Sequence, residues 1–200
     1  MTQFLSLDAI RTLGLYDDLC RLFRRAGMLD FLERRDVTYP CLILEFLVTI
    51  MRVEDIFTFR FRDMEYTLSC RDMSSVFGCL HGPALPEYVE LSVEGCAQLW
   101  MDVTAGTLDK KGGLLKEITH PILRLAHRML AIPFYGQENS SKISHQGISV
   151  LHALCTSGAH LPVWPMLFFH TCHKIRMATS GPICLGGMIT MIASSCRCGL

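Results

Sequence analysis

No stretch of the chain reaches the ~18 uncharged residues that a transmembrane helix needs. The longest apolar runs, Cys41 to Met51 and Ile183 to Ala193, are broken by Glu45 in the first and loosened by Gly186 and Gly187 in the second. A membrane span is therefore not expected, even though half of the residues are hydrophobic and the mean hydropathy is +0.30. The opening "MTQFLSLDAIRTL" lacks a basic segment followed by an unbroken apolar core, so no secretory leader is expected either. Acidic residues are missing from 139–200, where the only charges are Lys142, Lys174, Arg176 and Arg197. Cations spread this thinly leave a weak electrostatic footprint and do not by themselves argue for nucleic acid.

Catalytic signatures are missing as well. There is no G-x-S-x-G elbow, no G-x-x-x-x-G-K-[ST] phosphate loop, no G-x-G-x-x-G and no Asp-[Ser/Thr]-Gly. Cysteine, by contrast, is plentiful, with ten residues scattered through a chain long enough to bury its own core. Without an export signal these read as reduced thiols of an intracellular protein. The residues do not distinguish cytoplasm from nucleus.

What is present is mainly helical patterning within one domain over 8–196, followed by a tail at 197–200. Between Asp8 and Met28 apolar residues recur every three or four positions, as a one-sided helix requires, and Gly27 is a stop. "TYPCLILEFLVTIM" begins on Thr38 and Pro40 and is apolar almost all round, which predicts a fully buried helix. The period then changes: Phe57, Phe59 and Phe61 alternate with Thr58, Arg60 and Arg62, turn near Asp63 and return through Tyr66 and Leu68. That is the pattern of one small antiparallel β-hairpin with a single buried face. A short helix from Ser69 or Cys70 to about Gly78 follows, then one from about Ser92 to Val103. The paired glycines of "AGTLDKKGGLL" mark 105–115 as an internal hinge. Further helices are expected near 144–154, 163–178 and 182–196. The fold class read from this is α+β, a compact helical domain carrying one hairpin.

The stretch "ITHPILRLAHRMLA" (118–131) holds two histidines two helical turns apart. Pro121 suits a first helical turn, and Ile122, Leu125, Ala126 and Met129 form an apolar stripe. Arg124, His127 and Arg128 fall together on the other side, and the helix is expected to stop by Pro133. If any surface meets phosphate, those three residues are the candidates. The histidines lack the four-residue spacing and neighbouring acid of a helical zinc pair. "HTCHKIR", with His170, Cys172 and His173, lacks C-x2-C spacing, as do Cys184, Cys196 and Cys198, so no metal is expected. "LYDDL" resembles a polymerase metal loop only superficially, because Tyr16, Asp17 and Asp18 lie inside a helical period. Arg24-Arg25 and Arg34-Arg35 sit among Asp30, Glu33 and Asp36 and read as solvated ion-pairing faces. No cofactor and no small-molecule substrate are expected.

Four landmarks in this order carry a resemblance: "TYPCLILEFLVT" (38–49), "FRFRDMEYTLSCRDMSSVFG" (59–78), "ITHPILRLAHRMLA" (118–131) and "GPICLGGMITMIA" (181–193). Together they resemble the first-open-reading-frame protein of Athila-type plant retrotransposons, in its C-terminal domain, from about Arg11 to Ala193. The hairpin and short helix also resemble the plant mobile domain of transposon-derived proteins. The matching positions are Tyr39, Pro40, Glu45, Phe46, Tyr66, Leu68, Gly78, His120, Pro121, Arg124, His127, Arg128, Gly187 and Thr190, which serve as structural landmarks. The resemblance implies a non-enzymatic protein of the Gag-like region that associates with itself and contacts RNA. The alternative it implies is a host-domesticated nuclear adaptor in silencing or genome maintenance.

Overall fold

The helix that opens with Pro40 sets the frame. A computed structural model of the chain describes residues 7–33, 37–79, 92–104, 108, 112–135, 141–155, 164–178, 183 and 185–198. Along it run α1 (Leu7–Thr12), α2 (Tyr16–Arg25), α3 (Leu29–Glu33), α4 (Pro40–Thr49), β1 (Met51–Val53), β2 (Ile56–Phe61) and β3 (Met64–Ser69). Then come α5 (Cys70–Val76), α6 (Val93–Val103), β4 (Gly113–Leu114), a 3-10 turn (Leu115–Glu117), α7 (Pro121–Tyr135), β5 (Lys142–Ile143), α8 (His145–Cys155), α9 (Trp164–Met177) and α10 (Gly186–Ser195). The α+β class expected from the sequence is what the chain adopts.

Tyr39 is the extended residue ahead of α4, and Pro40 fills its first position, where a missing N–H costs nothing. The helix ends at Thr49 because Ile50 is extended and leads directly into β1. β1, β2 and β3 form an antiparallel meander in that order, so the expected hairpin gains a third strand. β1 covers only Ile56 to Thr58 of β2. Beyond that point the helix takes over from the strand. Thr49 Oγ1 accepts the Arg60 N–H at 2.9 Å, and Glu45 Oε2 accepts the Arg62 N–H at 2.6 Å. The spacing permits this, since four helical residues rise ~6.0 Å and two strand residues ~6.6 Å.

Glu45 does more with its other oxygen, Oε1, which accepts the Asp63 N–H at 2.7 Å. Arg62 and Asp63 form the two-residue turn between β2 and β3, and both hold positive φ, 52° and 62°. Such a turn matches the twist of a hairpin but favours Asn-Gly, because each side-chain-bearing residue at positive φ costs ~1 kcal/mol or more. The carboxylate offsets that strain.

Phe57, Phe59 and Phe61 are fully buried on the inner face of the sheet. Phe46 lies against Phe59 and Phe61 at ring-centroid distances of 4.9 and 5.5 Å and against Phe168 of α9 at 6.1 Å. From Phe168 the contacts continue to Phe77 at 5.1 Å, to Phe134 of α7 at 6.4 Å and to Trp164 at 5.0 Å. This aromatic seam joins the sheet to the helical half, each pair adding roughly 0.5–1.5 kcal/mol beyond its burial.

Several helix ends follow their sequence signals. Ser69 and Asp72 form a reciprocal capping box at α5, Ser92 caps α6, and Ser144 caps α8. α5 stops at Gly78, whose φ of 67° lets Cys79 N–H reach back to Ser74 O; a Cβ there would meet Asp30 at 2.8 Å.

Four expectations are corrected. The helix read from Asp8 to Met28 is two, α1 and α2, because Gly14 adopts a φ of 69° and closes the first with a reversal bond from Leu15 N–H to Ile10 O. The helix of 38–51 ends at Thr49 and is not buried all round: Leu44 is 56% and Val48 70% exposed, and Cys41 is exposed beside them. α7 runs past Pro133 to Tyr135, since Phe134 and Tyr135 are buried and Thr171 Oγ1 donates to Phe134 O at 2.6 Å. A third strand pair, β4 with β5, begins inside the expected hinge. Most of the expected hinge at 105–115 lies outside the described residues. Its last residues are packed, with Gly113 against the Trp100 ring so closely that a Cβ would fall 2.2 Å from it.

Replacing Glu45 by alanine should lower stability by about 2 kcal/mol, the value of charge-assisted hydrogen bonds lost from the turn. Adding Asp63→Gly should restore about 1 kcal/mol of that by relieving the positive φ. Urea midpoints of the single and double variants check both values.

Candidate nucleic-acid interface

α7 begins at Pro121 as its sequence indicates, with the His120 carbonyl accepting the Arg124 N–H at 3.3 Å. His120 itself is exposed. Burial extends around most of the helix: Ile122, Leu123, Ala126, Met129, Leu130, Ala131, Phe134 and Tyr135 are all buried. Beyond Pro121, the described side chains of α7 that meet water are Arg124, Leu125 and Arg128, on one narrow strip. Arg128 is exposed, Arg124 is half-buried, and among the described residues neither pairs with an acid.

His127 does not share that strip. It is 1% exposed, which corrects its placement on the outer face. Its ring lies nearly parallel to Tyr135, 20° between planes and 6.2 Å between centroids. The Nε2–H donates to Lys142 O, the carbonyl of β5, at 3.2 Å. Nδ1 has no hydrogen-bond partner among the described residues. Gly147 on α8 leaves room for this ring, since a Cβ at that position would meet Ile143 at 2.9 Å and His127 Cε1 at 3.3 Å. Burial, with a smaller contribution from Arg128, lowers the His127 pKa to about 4 although the bond to Lys142 O opposes it. The imidazole is thus neutral and acts as a bolt between α7 and β5.

The neighbours of His127 carried the missed signal. Leu123, Leu130, Ala131 and Phe134, three, four or seven residues away, are all apolar, so the histidine belongs to a second buried stripe beside the one through Ile122 and Met129.

The remaining candidates are dispersed. His170 and His173 are exposed, whereas Cys172 is fully buried on the same helix. Burial pushes the thiols of Cys79 and Cys172 far above their ordinary range, and also raises Cys70, Cys155 and Cys196. Among the described residues no group of three or more His, Cys, Asp or Glu side chains is placed to hold a metal ion. Asp17 is exposed, and Asp18 pairs with Arg21. Arg25 donates to Cys155 O at the end of α8, and Arg34 and Arg35 lie outside the described residues. An apolar crevice between α6, α7 and α8, lined by Trp100, Val103, Leu123, Ile148 and Leu151, has room only for a water-sized group. No helix of the described residues is long and apolar enough to cross a membrane.

The ATHILA ORF-1 family matches residues 1–156. The chain belongs to the ATHILA ORF-1 family. It is therefore a plant-retrotransposon-derived protein. The match ends just beyond α8, so the Gly-Gly block at 181–193 lies outside it, and a relation to the plant mobile domain is not shown. No curated protein and no solved structure matches the chain. Within the ATHILA ORF-1 match lie the landmark residues of α4, the meander and α7; Gly187 and Thr190 fall beyond it, both buried in α10.

The His127 bolt gives this ATHILA protein a defined acid sensitivity. The unfolded chain takes up a proton near the ordinary histidine pKa of about 6.5, whereas the folded chain resists until about pH 4. The unfolded state thus binds more protons across this window. The contribution of His127 is intact above about pH 6.5 and falls away towards pH 4, by a total on the order of 3 kcal/mol. Chemical denaturation between pH 7 and 4.5 should show the fall, and His127→Leu should flatten it.

Proposed function

We propose that this ATHILA protein is a non-enzymatic, Gag-region-like structural protein that associates with itself and binds RNA weakly. Family membership supports the retroelement setting. The observation that carries self-association is the amount of apolar side chain left in water around the sheet. Leu44 and Val48 of α4 are 56% and 70% exposed, Met51 and Val53 of β1 are 61% and 74% exposed, and Met64 at the head of β3 is 63% exposed. Isolated surface hydrophobics are ordinary, but several on adjoining segments mark a contact region. RNA contact rests on Arg124 and Arg128, which share one strip of α7 two sides of which are sealed by packing. His127 supports them from within by fixing α7 against β5.

Size-exclusion chromatography with light scattering should show purified protein as dimers or larger species at micromolar concentration. A monomer throughout would remove the self-association reading. For RNA, the logarithm of affinity should fall with the logarithm of salt, and the double variant Arg124→Ala/Arg128→Ala should reduce that slope by roughly 1 to 2, as loss of one or two phosphate contacts requires. An unchanged slope would place the contact elsewhere.

A further inference from the structure

We infer that self-association runs through the open edge of β3, which pairs antiparallel with β3 of a second copy about a two-fold axis passing beside Tyr66. The inference rests on the self-association reading above and names its interface.

The direction of the backbone groups is fixed by bonds already described. Arg60 N–H points to Thr49 on α4, and Thr58 lies against β1 through its pairing with Met51. Residues 58 and 60 therefore turn their polar groups away from β3. Their cross-strand partners, Thr67 and Glu65, must turn theirs away from β2. Among the described residues no backbone group outside the sheet bonds to the N–H or C=O of either. β3 thus presents two alternate residues, Glu65 and Thr67, with open donors and acceptors on a six-residue strand. The other edge offers far less. β1 has three residues, and in the same alternation only Arg52 faces outward, so a two-fold there would set a guanidinium against its own copy.

β3 is complementary to itself with the two-fold beside Tyr66, whereas a two-fold at Thr67 would call on the Ser69 N–H, which already donates to Asp72 Oδ2. With Tyr66 opposite Tyr66 of the second copy, Glu65 faces Thr67 and Met64 faces Leu68 on each side. The paired Glu65 and Thr67 residues make about four backbone hydrogen bonds across the axis. Met64, Tyr66 and Leu68 share the face of Phe57, Phe59 and Phe61, so the pairing extends the apolar surface from one sheet into the next. It covers Met64, 63% exposed in the single chain, and the half-buried Tyr66 and Leu68. Glu65 meets a hydroxyl and remains 4.0 Å from Arg60 of its own chain. A two-fold centred on Glu65 would instead oppose two carboxylates, which disfavours that register. The product is a six-stranded antiparallel sheet with β1 at each outer edge.

Thr67→Pro tests the assignment, because proline is tolerated on an edge strand where the lost N–H faces outward. In the full chain it should leave the circular dichroism spectrum, and the thermal midpoint of samples dilute enough to be monomeric, near wild type while raising the dimer dissociation constant about 100-fold or more. Hydrogen exchange on the unmodified protein is the second measurement: the Glu65 and Thr67 amides should exchange at least about tenfold more slowly in concentrated than in dilute samples. Persistence of the dimer in folded Thr67→Pro, together with its dispersal by Leu44→Glu/Val48→Glu, would overturn the edge assignment and leave self-association standing. Should Thr67→Pro unfold, concentration-independent exchange at those two amides would overturn it equally. A wild-type monomer at every concentration would remove the self-association reading and this inference with it.

Discussion

One helix of this protein stands in for a strand. Side chains four residues apart on α4, Glu45 and Thr49, present oxygens at nearly the repeat at which alternate N–H groups leave β2. The sheet can therefore stop pairing with β1 after Thr58 and continue along the helix without leaving backbone donors unsatisfied. Because the same carboxylate also holds the turn at Arg62 and Asp63, it sets where β2 ends and β3 begins. The register of β3, the start of α5 and the side of the sheet that the phenylalanines occupy all follow from that point.

From there the core is carried by aromatic rings. Phe46 touches the sheet on one side and Phe168 on the other, and the line continues through Phe77 and Phe134 to Trp164. α9 is the element common to both halves. Polar groups that enter this interior are few and mostly given partners: Thr171 donates to Phe134 O, and Ser74 to Cys70 O. Trp100 Nε1, Trp164 Nε1 and Thr190 Oγ1 lack one among the described residues, as does one ring nitrogen of His127, whose other nitrogen is bonded.

Much of this was legible in the residues. Alternation of Phe57, Phe59 and Phe61 gave β2 because period 2 has no competing reading over six residues, and Ser69, Ser92 and Ser144 gave helix starts through their caps. What escaped was long-range. β1 is three residues long and merges with an apolar run, so only its partner reveals it. Glu45 stands out in the sequence as a landmark, but its role depends on backbone donors 17 and 18 positions away. A lone acid in an apolar helix does signal that a partner exists; it does not say which. His127 was misplaced because a single apolar stripe was assumed on a helix that is sheltered on three sides. The Arg124 and Arg128 strip survived that error because both lie on the fourth.

The family match closes just after α8, yet α9 and α10 are not appendages. Phe168 sits between Phe46 and Phe77, and Gly186 at the start of α10 nestles against Thr38 at the start of α4. A premature stop codon near residue 156 would strip the lid from the phenylalanine seam while sparing nearly every residue that marks the family. Such a remnant would still be recognisable in a genome but would translate into a chain unable to shut its aromatic interior away from water.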